Sequence, residues 1–497
     1  MLRTRNIVFI QRRWKGGKQR WSVVQKKKAV TDRVLENFDD FYGTVFGVRW
    51  NNMRAALLSE QKYVAMVNNF GDIEKTCNLF EGMGAINIRS LFSLAKERSV
   101  IENSSSMPNQ TVYKLDDRLG GIIKNQEDRE KQSIYPENSE KEENVNHNNP
   151  FQSENKEETE NETTSNKSLE GAIEKTTELD TRRIIDTESG SSGLYDYIPA
   201  TNLKGMEDWI PESNYYKYYQ TTTDFPLQIE LETELAFPDN LCLYTYEMGN
   251  CTKFKSPFKC LTGVLSHYLM DGSSILPPLF LDVQPGEKVL DACAAPGGKS
   301  LLMLETLHPE ILVCNDVQES RVNRIRKSMT EYLIDFSDRW EGKRCLLTQR
   351  DARGIDEFEM YDKILVDVPC TTDRHSLNEI DNNIFRSSRL KERLRIPELQ
   401  ANILTNCIRL LKPGGSLVYS TCSLSPIQND GVVHMAMHEA FNEHGITVKV
   451  KDLSFLIQLF SDIFKFENPK GLKYGQMVVP FLPANFGPAY FCKITRK

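Results

Sequence analysis

KVLDACAAPGGK, residues 288–299, runs from a short apolar segment through Asp291 to a glycine pair and a lysine. A buried strand ending near Asp291, a tight turn at Gly297 and Gly298, and a helix starting at about Lys299 would give this pattern. Glycine lets the backbone approach a ligand closely, and the helix N-terminus behind it presents free N–H groups. Three further apolar runs follow at helix-length separations: ILVCNDV (311–317), KILVDV (363–368) and SLVYSTC (416–422). LLKPGG (410–415) reads as a helix end and a turn feeding the last of them. The alternation predicts an α/β fold, a doubly wound, Rossmann-like parallel sheet whose cleft lies at the carboxyl ends of the strands.

The glycine loop is neither a GxGxxG dinucleotide loop nor a GxxxxGK[ST] phosphate loop, because Cys293 stands where the latter needs its first glycine. Asp316 closes the next strand, 18 residues past Gly298, where an acid would hydrogen-bond a ribose diol. Together they predict a nucleoside site.

Asp367-Val-Pro-Cys370 and Ser420-Thr-Cys422 end two further strands, which places both thiols on the same cleft. One buried cysteine is usually a small apolar residue, but two at strand ends, one following Asp-x-Pro, point to chemistry. Carbon 5 of cytosine is too weak a nucleophile to attack a methyl sulfonium. A thiolate added at carbon 6 turns the ring into an enamine-like nucleophile, and after transfer a base removes the carbon-5 proton and the thiol leaves. Asp367 is placed to protonate or hydrogen-bond the N3 edge of the adduct. Spacing alone leaves open which cysteine attacks.

At these motifs the chain resembles the NSUN (Nop/Sun) RNA cytosine-5 methyltransferases, over residues 230–497. DVPCTTDRHSL (367–377), NFGPAYFCK (485–493) and LLSEQKY (57–63) are similar to the mitochondrial ribosomal-RNA branch of that family. The resemblance implies Cys422 as nucleophile and Cys370 as the thiol assisting product release. It implies an S-adenosyl-L-methionine site formed by Gly297, Gly298, Lys299, Asp316, Arg321, Asp351, Ala352 and Asp367, with Asp351 and Ala352 at the adenine and Asp367 between cofactor and cytosine. It further implies a helical-repeat partner of the mitochondrial transcription-termination-factor family. Thr371–His375 departs from the small, glycine-containing run of most relatives, and the role of His375 stays open.

The rest of the 497-residue chain is uneven. Residues 1–31 hold ten Lys or Arg and no acid, the composition of a mitochondrial transit peptide, so the expected location is the mitochondrial matrix. Residues 32–101 read as a small helical N-terminal region. Residues 102–193 read as a long disordered acidic linker, since 124–190 carry 18 acids against nine bases and only ten apolar residues in 67, too few to offset the entropy of ordering. Residues 194–280 then begin the methyltransferase region and 281–497 form the Rossmann-like catalytic domain. No apolar run is long enough for a membrane helix. Eleven cysteines without a CxxC pair suggest reduced thiols and no zinc site, and His434 and His438 read as helix surface.

An enzyme of ribosomal RNA needs a basic footprint, yet the net charge is −7. The exception is FRSSRLKERLR (385–395), with Arg386, Arg389, Lys391, Arg393 and Arg395; Lys253, Lys255 and Lys259 form a weaker cluster. A partner is therefore expected to supply part of the RNA affinity. The alternative to an enzyme is a non-catalytic ribosome-assembly scaffold that keeps the fold.

Overall fold

The computed structural model describes residues 29–104, 225–467 and 472–497. The expected transit peptide, up to residue 28, and the expected linker, from residue 105, lie outside the described residues.

In order, the strands are β1 (Tyr63–Val67), β2 (Ile86–Asn87), β3 (Gln228–Leu231), β4 (Leu243–Thr245), β5 (His267–Asp271), β6 (Lys288–Asp291), β7 (Ile311–Asn315), β8 (Cys345–Thr348), β9 (Tyr361–Asp367), β10 (Leu411–Thr421), β11 (Val448–Asp452), β12 (Gln476–Val478) and β13 (Ala489–Arg496). The larger sheet has the order β3-β11-β13-β10-β9-β6-β7-β8, with β12 paired to β13. Strands β10, β9, β6, β7 and β8 are mutually parallel, whereas β13 runs antiparallel to β10. From β6 the chain winds outward through β7 to β8, then crosses back to β9 and winds the other way. The order thus reverses between β6 and β9, the place where an open α/β sheet forms a cleft. Alternate residues feed two cores: Val289, Leu312 and Leu365 pack on one face, and Leu290, Val313, Ile364 and Val366 on the other. That explains the continuous apolar runs, because a strand covered on both faces has no polar side.

Helix α1 (Val30–Phe46) buries Val34, Phe38, Tyr42 and Phe46, a four-residue repeat along one face. With α2 (Arg49–Leu58) it docks on the β9/β10 core through aromatic packing: Tyr42 to Trp50 at 5.4 Å and Phe38 to Phe385 at 5.3 Å between centroids. The N-terminal region is not helical throughout. β1 and β2 combine with β4 and β5 in a four-stranded antiparallel sheet, so strands from both sides of residues 105–224 share one sheet. Helix α4 (Ile88–Ser104, following α3, Ile73–Gly82) also continues past residue 101.

Candidate active site

The sequence Gly297-Gly298 does two separate jobs. Gly297 sits at φ +108°, and an ideal Cβ on Gly298 would lie 2.9 Å from the ring of Tyr268. Only residues without a Cβ meet both demands. Gly297→Ala is expected to cost about 1–2 kcal/mol of stability and to weaken methyl-donor binding, checked by thermal melting and calorimetric titration. Helix α6 (Gly298–Glu305, after α5, Leu276–Leu281) starts here and carries Lys299 inward.

Asp291, under the loop, accepts from Ser300 Oγ (2.6 Å), while its second oxygen is buried without a partner. Burial pushes its carboxyl up to about 7, with the Ser300 hydrogen bond opposing. In the unfolded chain it ionises near ~3.9, so between about 4 and 7 the folded state holds the extra proton and stability falls as pH rises. Asp291→Asn should flatten that decline, by up to ~1.4 kcal/mol per pH unit, in urea unfolding at pH 5 and pH 7.

Asp316 ends β7's run, buried, accepting from Gln318 N (3.2 Å) and paired with Arg321 Nε (3.1 Å). Arg321, on α7 (Glu319–Tyr332), also donates to the Ala295 carbonyl (3.2 Å), tying the glycine loop to the β7 end. Asp351 is drawn onto Arg353 (2.6 Å), which holds its carboxyl below the usual value, and caps the turn Ala352–Gly354. Ala352 is buried with its carbonyl taken by Asn406 (2.8 Å). It is Arg353, not Asp351, that lines the cleft.

At the ends of β9 and β10 both Asp367 oxygens are engaged: one by Lys299 Nζ (2.6 Å), the other by Ser420 Oγ (2.7 Å). Burial works against the Lys299 ammonium, but the Asp367 carboxylate more than offsets it, so its pKa lies above the ordinary lysine value. The Cys370 and Cys422 sulfurs are 3.0 Å apart, and the Cys422 amide lies 3.4 Å from Cys370 Sγ. Cys422 opens on the cleft but is ringed by protein. The hydrogen bond with Cys370, then burial, push its thiol well above the usual value, with Lys299 opposing.

One cleft of about 980 Å³ is lined by Ala295, Lys299, Arg321, Asp367, Cys370 and Cys422 among others, while Gly297, Gly298, Asp316, Asp351 and Ala352 lie off its wall. His375, Arg353, Arg389, Lys391 and Arg395 line it too. Of the basic segment, Arg389 is paired with Glu392 (2.5 Å), Arg386 lies 3.8 Å from Asp381, and Arg393 sits over the Phe385 ring (4.5 Å). Lys391 and Arg395 make no ion pair among the described residues, so the footprint is smaller than the run of cations suggested. Lys253 pairs with Glu60 at 2.6 Å. Tyr268 escaped the sequence reading, and Asp291 and Ser420 were read there as strand ends without a role at the site.

All eleven cysteines are free of disulfides. Among the described residues no group of His, Cys, Asp or Glu could hold a metal ion, and no helix is long and apolar enough to cross a membrane. Contrary to the surface reading, His434 is buried on α11 (Val432–His444), where Nδ1 meets the Tyr474 hydroxyl at 2.7 Å, because that helix packs both its flanks. The intervening helices are α8 (Asp373–Asn378), α9 (Leu390–Leu394) and α10 (Ile396–Leu410).

A glycine loop that a Cβ would close, an acid at the second strand end and a lysine–aspartate pair before two thiols fit S-adenosyl-L-methionine, and define an S-adenosyl-L-methionine-dependent methyltransferase. Residues 278–460 match the 16S rRNA methyltransferase RsmB/F family. The chain is 32% identical to the 5-cytosine rRNA methyltransferase nsun-4 of Caenorhabditis elegans, over 99% of this chain and 98% of that one. It is 34% identical to NSUN4 of Xenopus tropicalis, named a 5-cytosine rRNA methyltransferase, over 96% and 94%. A mitochondrial tRNA (cytosine(34)-C(5))-methyltransferase of Danio rerio is 37% identical, over 46% of this chain and 60% of that one. The chain belongs to the NSUN family of S-adenosyl-L-methionine-dependent RNA cytosine-5 methyltransferases, in its NSUN4 branch.

Proposed function

We propose that this enzyme methylates carbon 5 of a cytosine in mitochondrial small-subunit ribosomal RNA through a covalent adduct with Cys422, as a step of ribosome assembly in the matrix. The observation that carries the reading is the pair of thiols 3.0 Å apart, beside Asp367, in the cleft of the glycine loop. S-adenosyl-L-methionine, when bound, supplies an electrophilic methyl group at the cleft between the β6 and β9 ends. Gly297, Gly298 and Lys299 would hold it, with Asp316 and Arg321 for the ribose and Asp351 and Ala352 for the adenine.

The chain's own chemistry runs on the pyrimidine. Cys422 Sγ bonds to carbon 6 as the carbon 5–carbon 6 double bond breaks, its thiol proton replacing the one that the Lys299–Asp367 pair lends to N3. The charge pushed toward N3 is met by the Lys299–Asp367 pair, which keeps a proton within 2.6 Å of the Asp367 carboxylate. Once carbon 5 is methylated, its proton passes to water in the open cleft, the carbon 6–sulfur bond breaks with its electron pair on Cys422 Sγ, N3 returns its borrowed proton and the ring double bond re-forms. Cys370, in hydrogen-bond reach of the departing sulfur, can return a proton to it. Lys391 and Arg395 on the rim suit phosphates, two contacts being too few for tight binding at physiological salt. That shortage supports a helper protein with a helical-repeat surface.

The acid-free, ten-cation start supports mitochondrial import. The test is to incubate the protein with labelled S-adenosyl-L-methionine and a mixture of unmethylated mitochondrial small-subunit RNA and mitochondrial transfer RNA, with and without the helper, and to sequence for 5-methylcytosine. One modified cytosine is expected. Label entering only transfer RNA would overturn the substrate assignment.

A further inference from the structure

Asp373 is fully buried just beyond Cys370 and belongs to neither the cofactor cradle nor the thiol pair. Its carboxylate accepts from Thr371 Oγ1 (2.6 Å), from the Leu424 amide (2.7 Å) and from Tyr42 OH (2.7 Å), with Ser423 Oγ at 3.3 Å. Thr371 follows Cys370, and Ser423 and Leu424 follow Cys422. One carboxylate therefore clamps together the two loops that carry the thiols. Gln428 adds a second tie, its side-chain oxygen accepting from Thr371 N (3.1 Å). Tyr42 arrives from α1, 331 residues away in sequence, held by its own packing on Phe38 (4.8 Å) and Trp50. A network needing only to fill space would not collect so many donors on one buried carboxylate, because burying a charge is costly unless each lone pair is met.

We propose that Asp373 is a positioning residue that sets the spacing of Cys370 and Cys422, and that the Tyr42 hydroxyl completes its grip, making α1 a working part of the catalytic apparatus. The proposal rests on the reading of these two cysteines as the reacting thiols. A misplacement of about 1 Å can cost ~100-fold in rate, so loosening this clamp should act on turnover and not on binding.

The decisive variant is Tyr42→Phe, which removes one hydroxyl and keeps the ring in its aromatic cluster. In the full chain, with the RNA substrate, kcat should fall at least about tenfold while KM for RNA and for the methyl donor stays within about twofold. Asp373→Asn should fall further, since an amide nitrogen cannot accept from the donors that face it. Phe80→Leu, in the separate core of the four-stranded sheet, serves as the packing control: it should lower thermal stability while kcat per folded molecule stays near wild type.

A Tyr42→Phe enzyme with unchanged kcat overturns the proposal, as does a loss shared equally by Phe80→Leu. Wild type and Cys422→Ala are run alongside on RNA carrying 5-fluorocytosine at the target, which traps the adduct. If wild type fails to form a Cys422-dependent adduct, the thiol reading itself falls. If it forms one and Tyr42→Phe still turns over normally, only the positioning role falls.

Discussion

Under the proposed mechanism Cys422→Ala should lose methylation by roughly 10⁴-fold or more, because the proposed bond to carbon 6, which turns the ring into a nucleophile, goes unmade. Cys370→Ala should behave differently. The attacking thiol remains, but the group 3.0 Å from its sulfur that can return a proton on departure is gone. A covalent protein–RNA species should then build up as a slow band on a denaturing gel, and the doubly substituted protein should show none. A band that persists without Cys422 would put the nucleophile elsewhere. The same Cys422→Ala protein separates enzyme from scaffold: if small ribosomal subunits still assemble on it, the fold contributes to assembly apart from methylation.

Lys299→Met should be nearly as damaging. The side chain is 19% exposed and its partner Asp367 31%, so the pair is partly screened and the cost lies in function more than in folding. Removing the ammonium leaves the Asp367 carboxylate held by Ser420 alone, strips the proton from the N3 side of the adduct and takes a cation from the cofactor loop. Loss of one such charge stabiliser corresponds to roughly 10²–10³-fold in kcat, with a rise in KM for the methyl donor. Asp367→Asn, which keeps the shape but leaves one oxygen to accept where Lys299 and Ser420 each need one, should cut kcat about 10²-fold or more with a smaller change in KM. Equal losses in kcat and binding for the two variants would argue that the pair only builds the cradle.

Much of the fold was legible because its signals are local. Four apolar runs, each buried on both faces, end in Asp291, Asp316, Asp367 and Cys422 or their immediate neighbours, and a glycine pair stands where a Cβ cannot fit. The site proved harder wherever a side chain chose its partner in three dimensions. Asp351 was read at the adenine, and only the structure shows that its carboxylate pairs with Arg353 two residues on while the guanidinium lines the cleft. Five cations in eleven residues suggested a phosphate track, but Arg389 is spent on Glu392 and Arg393 on an aromatic ring. The N-terminal region read as helical because β1 and β2 are short, and their partners β4 and β5 come from beyond residue 224.

By itself the sequence determined the winding of the catalytic sheet, the cofactor loop and the two strand ends that bear thiols. Periodic burial and glycine-only backbone positions depend on neighbours a few residues away. Only the tertiary structure decided that Lys299 and Ser420 hold Asp367 from opposite sides, that the two thiols touch, and that Tyr42 closes on Asp373. Those contacts join residues 52 to 331 positions apart, and no local pattern encodes them. They exist because a buried polar group must find a partner wherever the packed chain brings one within reach.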